Sequence, residues 1–346
     1  AALAAGLGAG AAVGALAVLF PGDGPFPFAW TGLVVVGALC ALLLTPLVAV
    51  PGWLRVGAAL YGLATLASFV VANPLGGNAT RLAESAGIPL ALAAVTRSGV
   101  RRWRRVVGVA ALAPFVVWQW APATSVRSSL AAPRADTAAY YRPLAAEIRR
   151  LGHGVPVRVE VVPTRHHWES AYVVGPDVTL ARGWERQLDV RDDPLFYRSA
   201  HFGDRAYRAW LERAGVAFVA LPHAALDYAG RAEAALLRRG VPGLAPAWST
   251  SGWALWRVVG SPGLVSGPGR LVSLRPDGTV LRVERPGRLL LRVRYTGYWT
   301  RRGAPACVAP AAGGWTAVRA AKAGTLVLDA RLAGGTPATC RSSGGA

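Results

Sequence analysis

The sequence predicts an α-helical transmembrane bundle followed by an exterior α/β domain and a small β-sandwich. Three observations predict it. The composition is too apolar for an ordinary soluble protein, with 53% hydrophobic residues, 16% charged residues and a mean hydropathy of +0.34. Charge is unevenly spread: residues 1–121 hold seven Arg, Asp23 and Glu84, out of 38 basic and 18 acidic residues in the whole chain. The texture then changes again after residue 260, where short alternating runs separated by Gly and Pro replace longer helical patterns. These shifts divide the 346 residues into about five transmembrane helices (1–121), a linker (122–136), an exterior α/β domain (137–260) and a β-sandwich-like module (261–346).

A helix needs roughly 20 mostly apolar residues to cross the hydrocarbon of a bilayer. Residues 1–20, 30–50, 56–72, 82–96 and 106–121 are the candidates, with Trp30, Trp118 and Trp120 where interfacial aromatics sit. The fourth is short and contains Glu84 and Pro89. Between the last two lies Arg97-Ser-Gly-Val-Arg101-Arg102-Trp103-Arg104-Arg105, five Arg in nine residues. Such a cluster marks the cytoplasmic side. The expected location is therefore the cell membrane, multi-pass, with the C-terminal domain extracytoplasmic. The chain opens inside an apolar run and contains no Met, so it reads as the C-terminal part of a longer membrane protein.

Beyond the linker, residues 140–151 have helical spacing and 155–162 alternate as a strand that Pro163 stops. Helices are expected over 204–214 and 231–239, the second ended by Gly240, with strands over 216–221 and 253–259. Alternation of helices with apolar strands predicts the α/β domain. The runs 278–284, 288–295, 307–310 and 325–332 predict the sandwich. Cys307 and Cys340 would close a loop of about 34 residues, the alternative being two thiols, while Cys40 reads as an apolar filler.

Lys322 is the only lysine, so the net charge of +20 is almost entirely Arg. This reads equally as a coding bias or as a surface attracting anionic lipid, phosphate-linked substrates or acidic polymers. Nucleic acid is not expected as a partner of an outward-facing domain. Three stretches concentrate reactive side chains. In Arg165-His166-His167-Trp168-Glu169 the two His point apart on most backbones, which argues against a shared metal. His167 with Glu169 could instead shuttle protons or grip a sugar, or the stretch is a polar loop. Arg182-Gly183-Trp184-Glu185-Arg186 combines an Arg fork for phosphate with an indole face for a sugar ring. An ion-paired turn has the same composition. Asp192-Asp193-Pro194 reads as a turn, with a divalent cation as the alternative; no other cofactor is expected. No nucleotide loop, dinucleotide fingerprint, HExxH or CxxC pattern is present.

The phrases Leu180-Ala-Arg-Gly-Trp-Glu-Arg-Gln187, Pro194-Leu-Phe-Tyr197 and Leu226-Asp-Tyr228 resemble actinobacterial multi-span membrane proteins. The layout is similar to the C-terminal half of glycosyltransferases of the C superfamily, which use polyprenyl-phosphate sugars outside the cytoplasm. That resemblance implies transfer of a sugar from a polyprenyl-phosphate donor to an exterior glycan or lipid acceptor, with membrane lipid around the spans. The family's catalytic acid lies in the first exterior loop, and it is not carried onto Asp23. His167, Glu169, Arg182, Trp184, Glu185 and Arg186 are the candidates for holding acceptor and lipid phosphate. The alternative is a non-enzymatic, membrane-anchored module that binds wall or capsule polymer.

Overall fold

The structure is a computed structural model. It describes residues 24–340 except 47, 49, 98, 131–133 and 198–201, together with 8, 11, 12, 15, 16, 18 and 19, and excludes the side chains of 122, 124–130 and 134. The expected span over 1–20, but for those isolated positions, and Asp23 lie outside the described residues. The chain forms two compact units, residues 1–132 with 185–193, and residues 133–184 with 194–346.

The first unit is helical, but it corrects the expected transmembrane bundle. Among the described residues one helix, Gly52–Val70, is long and apolar enough to cross a membrane. The apolar stretch over 30–50 forms α1 only over Trp30–Leu44. Thr45 is extended (ψ 155°) ahead of Pro46, because a residue preceding proline disfavours the helical region. Fifteen residues rise only about 22 Å, short of a hydrocarbon core of roughly 30 Å. Helix α2 is Gly52–Val70. The stretch over 82–96 splits into a π-turn, Ala83–Gly87, and a nine-residue helix α3, Ile88–Thr96, with Pro89 in its first turn. Helix α4, Arg102–Leu130, starts within the Arg cluster and continues through much of the segment expected to be a linker. Val36, Leu39, Cys40 and Leu43 of α1 pack with Ala58, Ala91, Ala94, Val95 and Leu112 as the core of this unit. The outer surface of α2 stays apolar and open, with Trp53, Val56, Leu60, Leu63 and Val70 all more than half exposed.

The second unit is mostly β, the other part of the correction: the fourteen strands described in the chain form three sheets. The first sheet has the order β2-β1-β3-β5-β4, from β1 (Val157–Val161), β2 (Val178–Leu180), β3 (Val216–Pro222), β4 (Leu244–Ser249) and β5 (Trp253–Val258). Strands β2, β1 and β3 are parallel, while β5 and β4 are antiparallel additions. Helix α5 (Ala138–Gly152) covers one face through Tyr141, Leu144 and Ile148. A single turn, α6 (Glu169–Tyr172), follows β1, and α7 (Arg186–Asp192) belongs to the first unit. Helices α8 (Asp204–Ala214) and α9 (Arg231–Arg239) cover the other face through Tyr207, Trp210, Leu211, Ala234 and Leu237. With both faces covered, β3 reads as a continuous apolar run, Val216-Ala-Phe-Val-Ala-Leu-Pro222.

Two antiparallel sheets follow. One has the order β14-β10-β13-β8-β7, the other β11-β12-β9-β6. Their strands are β6 (Val265–Ser266), β7 (Gly269–Arg275), β8 (Gly278–Val283), β9 (Gly287–Arg294), β10 (Trp299–Gly303), β11 (Ala306–Pro310), β12 (Trp315–Ala320), β13 (Gly324–Ala330) and β14 (Thr336–Pro337). Alternate residues, among them Leu281, Leu289, Leu291, Val308, Val318 and Leu326, make their common core. Cys307 and Cys340 are joined by a disulfide. Arginines fasten this pair of sheets to the first one by capping backbone carbonyls. Arg158 of β1 donates to Ala214 O (2.7 Å) and Arg292 O (2.6 Å), and Arg292 donates to Arg213 O (3.1 Å) and Gly263 O (3.0 Å). The guanidinium of Arg158 also lies 5.1 Å from the ring centroid of Trp315.

Candidate functional site at the carboxyl edge of the parallel strands

Because β1, β2 and β3 are parallel, their carboxyl ends share one edge of the sheet. The chain leaves β1 toward β2 on one side and leaves β3 toward the opposite side, since β2 and β4 lie at opposite edges. Divergent connections of this kind leave a crevice at the strand ends, where open α/β sheets bind their ligands. Here the crevice is framed by residues 162–169 after β1 and 223–228 after β3. The two loops are tied together by a bridge between Thr164 and Leu226, by Arg165 N donating to Ala225 O (2.9 Å) and by Asp227 N donating to Pro163 O (3.0 Å).

His167 stands at the centre of this tie. Its φ of 59° places a non-glycine residue in the left-handed region, a conformation that surrounding structure must impose. The turn aims its imidazole between two carboxylates, Nδ1 at 3.2 Å from Glu169 Oε1 and Nε2 at 3.6 Å from Asp227 Oδ2. Burial is the largest single influence and pulls the imidazole pKa down. Hydrogen bonding and charge from Asp227 and Glu169 together outweigh it and lift the pKa to about 9. His167 is thus an imidazolium at neutral pH. Glu169 also accepts from Thr164 Oγ1 (2.5 Å), which contacts the hydroxyl of Tyr141 at 3.0 Å. The neighbouring His166 turns the other way and meets Asp136 at 2.9 Å.

Arg182, at the end of β2, is placed inside the fold. Its Nε donates to Glu160 Oε1 and its Nη2 to Glu233 Oε2, each at 2.9 Å. Both carboxylates are fully buried. The guanidinium lies 3.6 Å from the Phe196 ring centroid, and Tyr207 Oη donates to Glu233 Oε1 (2.6 Å). Burial, followed by the charges of Glu233 and Glu160, pushes the Tyr207 hydroxyl well above the usual range and keeps it a donor. The residue expected to grip phosphate is therefore the internal counter-ion of two carboxylates. Trp184 is 62% exposed at the same edge. Glu185 and Arg186 fall in the segment 185–193 that belongs to the helical unit.

Beside the crevice a cleft of about 520 Å³ opens between the start of α5, the end of β3 and the turn from β4 to β5. Tyr140, Pro143, His223, Thr250, Ser251 and Trp253 are among its walls. Tyr140 Oη donates to Gly252 O (2.8 Å), and burial pushes this phenol up to about 12, so it stays protonated. His223 Nδ1 lies 3.2 Å from Ser251 O, an atom that can only accept, so Nδ1 is the donor in this contact. Trp168, 40% exposed, stacks on Tyr172 at 5.4 Å and 16°. The edge thus offers two open indoles, hydroxyls and an imidazole. Stacking and hydroxyl hydrogen bonding are the chemistry available there.

Sequence reasoning missed Asp227, Thr164, Tyr141 and His223. Asp227 carried a signal: it precedes Tyr-Ala-Gly ahead of a helix, and its Oδ1 accepts from Ala229 N (2.9 Å), as a helix-capping aspartate does. Among the described residues no group of three or more His, Cys, Asp or Glu is arranged to hold a metal ion. No family model, curated protein or solved structure matches this chain.

Proposed function

We propose that this chain is a membrane-attached envelope protein whose second unit lies outside the cytoplasm and binds a glycan at the carboxyl edge of its parallel strands. The observation that carries this reading is the pair of solvent-facing indoles, Trp168 and Trp184, on the strand-end edge that also holds the cleft of Tyr140 and His223. Aromatic faces with few, fixed polar groups suit sugar rings. Attachment to the membrane is supported by α2, of whose apolar window only 11% is buried, since a helix in a soluble core hides most of its apolar surface. An exterior location is supported by the Cys307–Cys340 disulfide, a bond that persists in oxidising compartments.

Binding is favoured over catalysis by the state of the charged groups. Arg182 is neutralised internally, and His167 holds its proton too firmly to act as a base near pH 7. Sugar transfer from a polyprenyl-phosphate donor is the second reading, favoured by the position of the crevice at a sheet's switch point. The two readings separate in one experiment on the full chain in neutral detergent micelles, titrated with envelope oligosaccharides by calorimetry and then supplied with labelled polyprenyl-phosphate sugar. Saturable binding without turnover, weakened about three- to tenfold by Trp168→Ala or Trp184→Ala, is the expected result, as aromatic stacking is worth roughly 0.5–1.5 kcal/mol. Turnover abolished by His223→Gln establishes the second reading. Binding that ignores both indoles overturns the first.

A further inference from the structure

The helical unit holds a groove that the glycan cleft does not involve. Helices α1 and α2 and the turn into α3 enclose a space of about 200 Å³, lined by Leu39 and Leu43 of α1, Gly57 and Ala58 of α2, and Ala86 and Gly87 ahead of α3. The Tyr61 hydroxyl on its wall is already satisfied, donating to Ala79 O (2.6 Å) and accepting from Ala83 N (3.1 Å). The lining is otherwise apolar, and such a gap leaves it short of contact partners.

The groove has a basic end. Tyr61 is level with Ala83, and Leu54, two turns earlier in α2, shares the lining with Leu90, two turns later. Helices α2 and α3 therefore run antiparallel, and α2 starts where α3 gives way to α4. Val48 and Val50, between α1 and α2, accordingly pack in one core with Ala94 and Val95 at the end of α3. This end carries Arg55, Arg101, Arg102, Arg104 and Arg105, beside the open indoles of Trp53 and Trp103. The Arg104 guanidinium lies 5.3 Å from the Trp103 ring centroid. Glu84 is the only acid between residues 24 and 130, and it takes Thr80 Oγ1 (2.8 Å) near the level of Tyr61. The acidic segment 185–193 packs on Gly24, ahead of α1 and so toward the other end. Among the described residues the five arginines meet no carboxylate, and the shielded Nε of Arg55 and of Arg104 has no hydrogen-bond acceptor. The arginines around the start of α4 also face the positive end of its dipole, where cations are unfavourable.

We propose that the groove and its basic end bind one anionic phospholipid, with an acyl chain in the groove and the phosphate among the arginines. One molecule answers both halves of the arrangement. The chain supplies the contacts that the apolar lining lacks, and the phosphate stands where carboxylates are missing. Indoles such as Trp53 and Trp103 favour the level at which head group meets chain. The proposal rests on the membrane attachment inferred above and narrows it to a lipid class and a place.

The test uses the full chain, by native mass spectrometry from neutral detergent micelles with phosphatidylglycerol or phosphatidylcholine added, and by flotation with vesicles of either lipid. One phosphatidylglycerol is expected per chain, held about tenfold more tightly than phosphatidylcholine. Arg101→Gln combined with Arg102→Gln brings it down to the phosphatidylcholine level, whereas Arg238→Gln with Arg239→Gln on α9 changes nothing. Gly57→Leu fills the groove: a Cβ there meets nothing within 4 Å, and leucine is the better helix former, so the helix is kept. It is expected to weaken retention of both lipids about tenfold, while Gly37→Leu, equally open on α1 but outside the groove, does not. Equal retention of the two lipids, or undiminished phosphatidylglycerol in Gly57→Leu, overturns the proposal. A dimer that holds no lipid and that Gly57→Leu dissociates makes a second copy the occupant, and overturns it too. Flotation separates this from the wider reading. A chain that floats with phosphatidylcholine but shows no preference loses the lipid site alone, whereas a chain that floats with neither lipid loses membrane attachment as well.

Discussion

Arg182 shows how far one side chain's meaning depends on partners distant in the chain. Beside Trp184 and Glu185 it reads as a phosphate grip, yet its ion-pair partners are Glu160 and Glu233, 22 and 51 residues away. Removing one member of a buried ionic cluster leaves the others charged in a dry interior. Arg182→Ala is therefore expected to lower stability by about 3–5 kcal/mol, measured as a fall in the urea midpoint. His167 behaves differently because its cluster reaches solvent. The folded chain binds this proton more tightly than the unfolded chain, in which an ordinary His titrates near 6.5. Its stabilising contribution is complete below about pH 6.5 and is lost as the pH rises through about 9. Amide exchange in residues 162–169 and 223–228 should accelerate over that interval, and in His167→Gln the exchange should lose this step. The divergence of His166 from His167 was legible, because adjacent side chains rarely share a target. The partnership with Asp227 was not, since it depends on which strand lies beside β1.

At the scale of elements, local signals were most legible where one chemical feature decides the backbone. Gly240 ends α9, Pro163 follows the strand, and the unbroken apolar run of β3 marks a strand covered on both faces. They misled where apolar length alone suggested a span, because Thr45-Pro46 and Pro89 shorten helices that hydropathy joins. Gly215 shows a turn whose demands come from two directions. It ends α8 at φ 69°, its N–H satisfying the carbonyl of Glu212, and a methyl group there would fall against the carbonyl of Gly263. Gly215→Ala combines left-handed strain of about 1–3 kcal/mol with displacement of the strap carrying Gly263. A Tm drop of several degrees in a thermal melt is expected, larger than for alanine at Gly183, which has open space.

For the whole molecule, composition set the apolar N-terminal segment apart but misjudged it as a transmembrane bundle. The described part of the apolar N-terminal segment is helical, but hydropathy averages cannot tell an apolar helix that packs on small residues from one that spans lipid. The contrast between α1, with Val36 and Leu39 buried, and α2, with Leu60 and Leu63 open, appears only once the helices are placed. Nor does sequence order reveal that residues 185–193 leave the sheet-bearing unit to join the helical one. Segments of like texture look continuous in a sequence, whereas contacts sort them by partner. The three sheets follow from turn spacing, yet the arginines that seat the sandwich on the first sheet, Arg158 and Arg292, look like any other member of a basic surface until their carbonyl acceptors are known.

The bond between Cys307 and Cys340 has a mechanical consequence. Strand β11 lies in one sheet of the sandwich and β14, just ahead of Cys340, pairs within the other. Tension pulling on the chain past residue 340 therefore enters at β11 and bypasses the 33-residue separation between the cysteines. At about 3.4 Å per extended residue, roughly 110 Å of chain is kept from paying out. A chain pulled from beyond residue 340 would yield at the strands before residue 307, leaving β12 and β13 shielded for as long as the bond is oxidised.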